Sequence, residues 1–160
     1  MGGIIIGLLV CLIFIFVQDW KYRRIHVALP LIVFSFSFYL IQQESKILLK
    51  LIAYNVVFFL VTLSILTIYM SLKNKSFLNP FQNYFGLGDF LFYIAIAPLF
   101  LLQNYILFFI LSMLFAIGLQ IGLKKFIKEQ TVPLAGFSAL LLFIVIIKDL
   151  VLSFQKITLL

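Results

Sequence analysis

The chain has 160 residues, of which 65% are hydrophobic and only 11% charged, and its mean hydropathy is +1.25. A surface so poor in polar groups cannot satisfy water, which excludes a soluble domain and indicates a polytopic membrane protein. A net charge of +7 would suggest nucleic acid in a soluble protein, but the Lys and Arg residues gather between apolar runs, so the basic balance reads as membrane topology and no nucleic-acid partner is expected.

Six apolar segments are predicted in chain order, at about 3–18, 27–42, 47–70, 89–102, 105–123 and 132–153. Each is expected to be a helix, because hydrocarbon tolerates only backbone whose hydrogen bonds are internal and no segment alternates as a barrel strand would. The fold class is therefore all-α, with about six transmembrane helices in one domain spanning 1–160. The first run lacks a basic n-region and a small-residue cleavage site, so it reads as a retained span; Gly2 lacks the downstream Ser or Thr of a myristoylation signal. The breaks are polar: Asp19 to His26, Gln42 to Lys46, Leu72 to Gly88, Gln103-Asn104 and Lys124 to Thr131, with Gln103-Asn104 read as a tight hairpin.

Alternate loops divide the cations unevenly. Lys21, Arg23, Arg24, Lys73, Lys75, Lys124, Lys125 and Lys128 fall on one side, against Lys46, Lys50, Lys148 and Lys156 on the other. Cations in short loops accumulate in the cytoplasm, so loops one, three and five are expected there and both termini outside. Two acids then share the cytoplasmic face. With a rise of roughly 1.5 Å per residue, Asp19 lies about 24 Å into the first helix and Asp89 about 20 Å into the fourth, a similar depth in a core about 30 Å thick.

Asp89 sits in Phe85-Gly86-Leu87-Gly88-Asp89-Phe90, a glycine-bracketed acid at the mouth of an apolar helix. A carboxylate in that setting is costly unless something uses or neutralises it, although an Asp after Gly-X-Gly also fits a simple helix cap. Gly86 and Gly88 are expected to permit positive φ and close backbone approach beside the acid; a loop turning into a helix would explain them as well. Two carboxylates held together where water is scarce cannot both ionise, so they share one proton. Such a pair can activate water against an amide and protonate the departing amine, the chemistry of aspartic proteolysis. Rival groups are few. His26 is a single histidine and reads as an interfacial side chain, Cys11 reads as packing, and Ser35 and Ser37 lie in apolar runs with no base nearby in sequence, so no metal or cofactor is expected.

Gly86-Leu87-Gly88-Asp89 resembles the GxGD motif of the type IV prepilin peptidases, membrane aspartyl proteases that remove the leader of pilin-like precursors. Asp19-Trp20-Lys21-Tyr22-Arg23-Arg24-Ile25 resembles that family's other motif, an aspartate closing an early helix before a basic run and Ile-Pro-Asn; His26-Val27 stands here in place of Pro-Asn. Thr131-Val132-Pro133-Leu134-Ala135-Gly136-Phe137 is similar in part to the start of the family's last helix. The resemblance implies that Asp19 and Asp89 are the catalytic pair, supported by Gly86, Gly88 and Pro133. It implies action at the cytoplasmic face of a bacterial inner membrane on a prepilin or pseudopilin precursor. Lys21, Arg23 and Arg24 are read as orientation anchors that also bias the field at Asp19. Many members carry a cysteine-containing segment linked to methylation of the new terminus, and this chain is expected to be a short form without it. Other readings stay open: a preflagellin peptidase, a presenilin-like intramembrane protease, a proton-coupled transporter using the same acids, or an assembly subunit.

Overall fold

The computed structural model describes residues 2–42, 48–75, 85–123, 132–151 and 157–159. Among these there are six α-helices and no strand: α1 (Gly2–Tyr22), α2 (Ala28–Gln42), α3 (Leu48–Asn74), α4 (Leu87–Ile96), α5 (Leu102–Gly122) and α6 (Leu134–Val151). The all-α expectation holds. Four of them, α1, α3, α5 and α6, are long and apolar enough to cross a membrane, whereas α2 and α4 are shorter apolar helices. Lys46, Lys124, Lys125, Lys128, Thr131 and Lys156 lie outside the described residues.

Helix α1 is the hub, lying against α2 on one side and α6 on the other. Its buried positions are Leu8, Leu12, Ile15 and Asp19, one stripe at helical spacing in which the last member is a carboxylate. On α6 the buried face includes Ala135, Gly136, Ser138 and Ala139, small residues that let backbones approach closely where lipid provides no hydrophobic drive between helices. Helix α5 packs on α6, and α2 on α4. An aromatic cluster fills the centre: Phe59 stacks at 5.4–6.0 Å from Phe85, Phe90, Tyr93 and Phe109.

Several boundaries differ from expectation. The fourth segment stops at Ile96, followed by a single 3-10 turn, Ala97–Leu99, because Pro98 cannot continue an α-helix. The chain then reverses through extended Phe100 and Leu101, so the hairpin predicted at Gln103-Asn104 lies just before it and those residues occupy the first turn of α5. Helix α1 also runs one turn past Asp19, to Tyr22.

Helix α3 is the least buried, and beside the ring contacts of Phe59 it is tied on by a buried side-chain amide. Asn55 is fully buried, and its Nδ2 donates at 2.8 Å to both the Ala97 and the Phe100 carbonyls, which the break at Pro98 leaves unpaired within the helix. The far end is closed by a third buried acid. Asp149 accepts Thr158 N (2.7 Å), Thr158 Oγ1 (2.8 Å) and Ile157 N (3.0 Å) on Oδ2, and pairs with Lys148 Nζ at 3.1 Å through Oδ1. Leu159 N donates to Leu99 O (2.8 Å) and Asn104 Nδ2 to Ile157 O (2.8 Å), which straps the tail across that end.

Asn55→Leu keeps the volume but strands two buried carbonyls, and interhelical hydrogen bonds in membranes contribute about 1–2 kcal/mol. The variant is expected to lower the thermal unfolding midpoint in detergent; an unchanged midpoint would show that α3 is held by packing alone.

Candidate active site

The site is built at the start of α6. Pro133 occupies the position before the helix, where Ser, Thr, Asp or Asn would normally supply a capping oxygen, and its side chain has none. Three N–H groups of the first turn therefore need acceptors before the first intrahelical bond, Phe137 N to Pro133 O at 3.0 Å. Leu134 N donates to Val132 O at 2.9 Å. Ala135 N donates to Asp89 Oδ1 at 2.6 Å, and Gly136 N to Asp19 Oδ2 at 2.7 Å. Two carboxylates from α1 and α4 thus cap a third helix, and successive amides of that helix hold them side by side, near enough to interact electrostatically. The positive end of the α6 dipole faces both.

Local structure delivers each acid. Asp19 ends the buried stripe of α1 and is only 7% exposed. Trp20, the next residue, packs edge-on to Phe137 with ring centroids 5.5 Å apart, pinning α1 to α6 beside the carboxylate. Asp89 is in the first turn of α4 and is half-buried; its Oδ2 accepts Gly86 N at 3.1 Å, so the helix-cap explanation is part of the truth. One turn further, the Tyr93 hydroxyl bridges Ser112 Oγ (2.7 Å) and Ser138 Oγ (2.9 Å), locking α4 to α5 and α6. Tyr105 donates to Tyr93 O at 2.9 Å. Ser35 and Ser37 donate to carbonyls four residues back.

The glycines work by proximity, not by φ. No described glycine has a positive φ, which corrects that expectation, and Gly86 is extended at φ −67° and ψ 146°. A Cβ on Gly88 would lie 3.1 Å from Ile25 Cδ1 and 3.3 Å from Ile25 Cβ, so the two acidic motifs touch there. A Cβ on Gly86 would lie 2.9 Å from Asp89 Oδ2. Gly136 is the tightest against α1: its Cβ would meet Asp19 Cβ at 3.0 Å and Oδ2 at 3.1 Å. Sequence reasoning singled out Pro133 but not Gly136 or the Ala135 amide, whose signal was a small pair just after a proline.

The basic run divides. Lys21 and Arg24 are exposed, whereas Arg23 is half-buried. Arg23 closes α1 in the left-handed conformation (φ 53°), its N–H donating to Asp19 O at 3.1 Å; for a residue with a Cβ that conformation costs about 1–2 kcal/mol. His26 fills the gap left by the missing Pro-Asn. Its Nδ1 accepts Ala28 N at 3.3 Å, capping α2, while its own N–H donates to Gln18 Oε1 at 3.1 Å.

Fold and site together define an all-α membrane protein with a pair of buried carboxylates at one end of its helices. The chain belongs to the type IV leader peptidase family, whose sequence profile matches residues 6–121. Both aspartates fall within the match, and α6, whose first turn holds them, lies beyond it. Neither curated proteins nor solved structures return a match.

Ala is a better helix former than Gly by about 1 kcal/mol, so Gly136→Ala should stabilise an ordinary helix. Here the added methyl would press on Asp19 at 3.0–3.1 Å and push the carboxylate off the Gly136 amide, and a lowered unfolding midpoint is expected. A more stable variant would mean that Asp19 yields to the methyl and that Gly136 is not needed for the contact.

Proposed function

We propose that the chain is an aspartic endopeptidase that removes the short basic leader of a prepilin-like or pseudopilin precursor, with Asp19 and Asp89 as its catalytic pair. The observation that carries the reading is the joint capping of α6: two acids 70 positions apart in sequence are bonded to adjacent amides, within a chain of a leader peptidase family. One unprotonated carboxylate takes a proton from water as its oxygen attacks the scissile carbonyl. The other gives its proton to the departing amine as the C–N bond breaks. The pair ends with the single proton it began with. Asp89 is only half-buried, and Gly86, Leu87 and His26 beside the pair are exposed, which leaves water and a peptide a way in.

The pair is assigned to the cytoplasmic face. Helix directions alternate along the chain, so that the ends of α1 and α3 and the start of α4 point to one side of the bundle, which assigns Arg23, Arg24, Lys73 and Lys75 to the same side as the acids and Lys148 to the other. That grouping agrees with the bias of short cytoplasmic loops toward Lys and Arg.

Asp19→Asn and Asp89→Asn change chemistry with little change of architecture, because an amide oxygen still accepts the α6 N–H group, at the cost in Asp89→Asn of the Gly86 N–H bond, while the side chain can no longer exchange the proton. Each variant is expected to insert at normal abundance and to lose nearly all cleavage of a co-expressed leader-bearing precursor, followed by its size shift on a gel. The double variant should be scarcely worse, because groups that act as a unit are not additive. Full processing by either single variant at normal abundance would refute the protease reading.

A further inference from the structure

We propose that Arg23 is a positioning residue of the aspartate pair, turned inward so that its guanidinium offsets the net negative charge gathered at the start of α6. The inference rests on the dyad reading above and deepens it.

Three observations converge on this residue. The first is conformational. Arg23 stands just past the end of α1, with φ 53°, at the position where helices commonly place glycine, and its N–H is bonded to the carbonyl of Asp19 itself. A side chain held in the left-handed region at a functional site is a form of stored strain, tolerated where the surrounding structure fixes it. The second is direction. A cation at the end of a membrane helix ordinarily extends its head outward to water and headgroups, as exposed Lys21 and Arg24 do. Arg23 instead buries Nη1. Of three cations in four residues, the one with left-handed backbone is the one that is half-buried.

The third is charge. The pair and the reacting carbonyl together carry one net negative charge throughout the proposed reaction, on a carboxylate at its start and end and on the tetrahedral oxygen between the two proton transfers. Amide donors and a helix dipole supply partial positive charge to it, but a buried ion is best met by a full counter-charge. The guanidinium is within electrostatic range of Asp19. It therefore acts through Asp19, holding that carboxylate in place and in charge balance, and touches no reacting atom in this account.

The test uses the full chain, purified into nanodiscs, with a precursor bearing a basic leader and an apolar helix. Arg23→Lys, Arg23→Gln and Arg23→Gly are compared with Asp19→Asn and Asp89→Asn by steady-state cleavage and thermal unfolding. Arg23→Lys should keep kcat within about threefold, while Arg23→Gln and Arg23→Gly should lose about tenfold or more in kcat with KM nearly unchanged. Arg23→Gly should also unfold at the same or a higher temperature, because glycine relieves the left-handed strain. Equal damage from Lys and Gln at reduced stability would show a purely structural role and overturn the proposal. A rise in KM alone would make Arg23 a substrate contact, and full activity of Arg23→Gln would make it an orientation anchor; either result overturns it too. If the Asn variants are inactive while Arg23→Gln is fully active, only this inference fails. If the Asn variants still cleave, the dyad reading and this inference fail together.

Discussion

The arrangement depends on an unmet need of the α6 backbone. A helix beginning at a proline in an apolar setting has N–H groups that neither water nor a local side chain accepts, and each buried donor left without a partner costs about 1–3 kcal/mol. Asp19 and Asp89 meet two of those donors. The same bonds that complete the first turn of the helix bring two carboxylates from distant helices into one place. The small residues that follow Pro133 are part of this. A glycine at 136 leaves Asp19 room to reach its amide, where a Cβ would press on the carboxylate at 3.0–3.1 Å, and the edge-on contact of Trp20 with Phe137 holds the approach.

The three described aspartates sit in different environments. Asp149 is saturated at the far end, with a lysine on one oxygen and three tail donors on the other, and it works as a clasp. Asp19 and Asp89 receive backbone N–H groups of a helix they do not belong to and adjoin exposed loop residues. A carboxylate whose lone pairs are all engaged by fixed structure has nothing left for a water or a scissile amide; a carboxylate positioned by one or two amides does. The Tyr93 bridge to Ser112 and Ser138 stiffens the layer beneath the pair without competing for it.

Much of this was legible in the sequence, for stated physical reasons. Apolar runs in lipid must be helices, so fold class followed from composition, and the acid-bearing motifs stood out because charge in such runs is expensive. Asp19 also closes the spacing of Leu8, Leu12 and Ile15, so its inward direction could be read from the stripe. Other features could not be read that way. The turn before α5 was misplaced because the polar pair Gln103-Asn104 was taken as the break, when Pro98 had already ended α4. The glycines were expected to serve through φ, yet they act by yielding space to Ile25, Asp89 and Asp19. The role of the Ala135 and Gly136 amides was hidden because backbone groups carry no sequence signature, and the inward turn of Arg23 because a run of cations looks alike until its backbone is known. His26 illustrates the converse: a departure from the family's Pro-Asn turns out to cap α2 with a ring nitrogen.

The central claim is that the two acidic motifs meet, and the contact between position 88 and Ile25 offers the most direct measurement. A Cβ at 88 would lie 3.3 Å from that of Ile25, close to the separation a disulfide spans, and replacing Ile25 removes the side chain that a new Cβ would strike. In a chain whose Cys11 has been replaced by Ser, Ile25→Cys with Gly88→Cys should oxidise readily in the membrane to one intramolecular bond. After proteolytic cleavage between the two positions, the fragments should stay joined until a reductant is added. Fragments that separate without reductant, with both thiols still open to maleimide, would show that α1 and the start of α4 do not adjoin, and the shared site would have no basis.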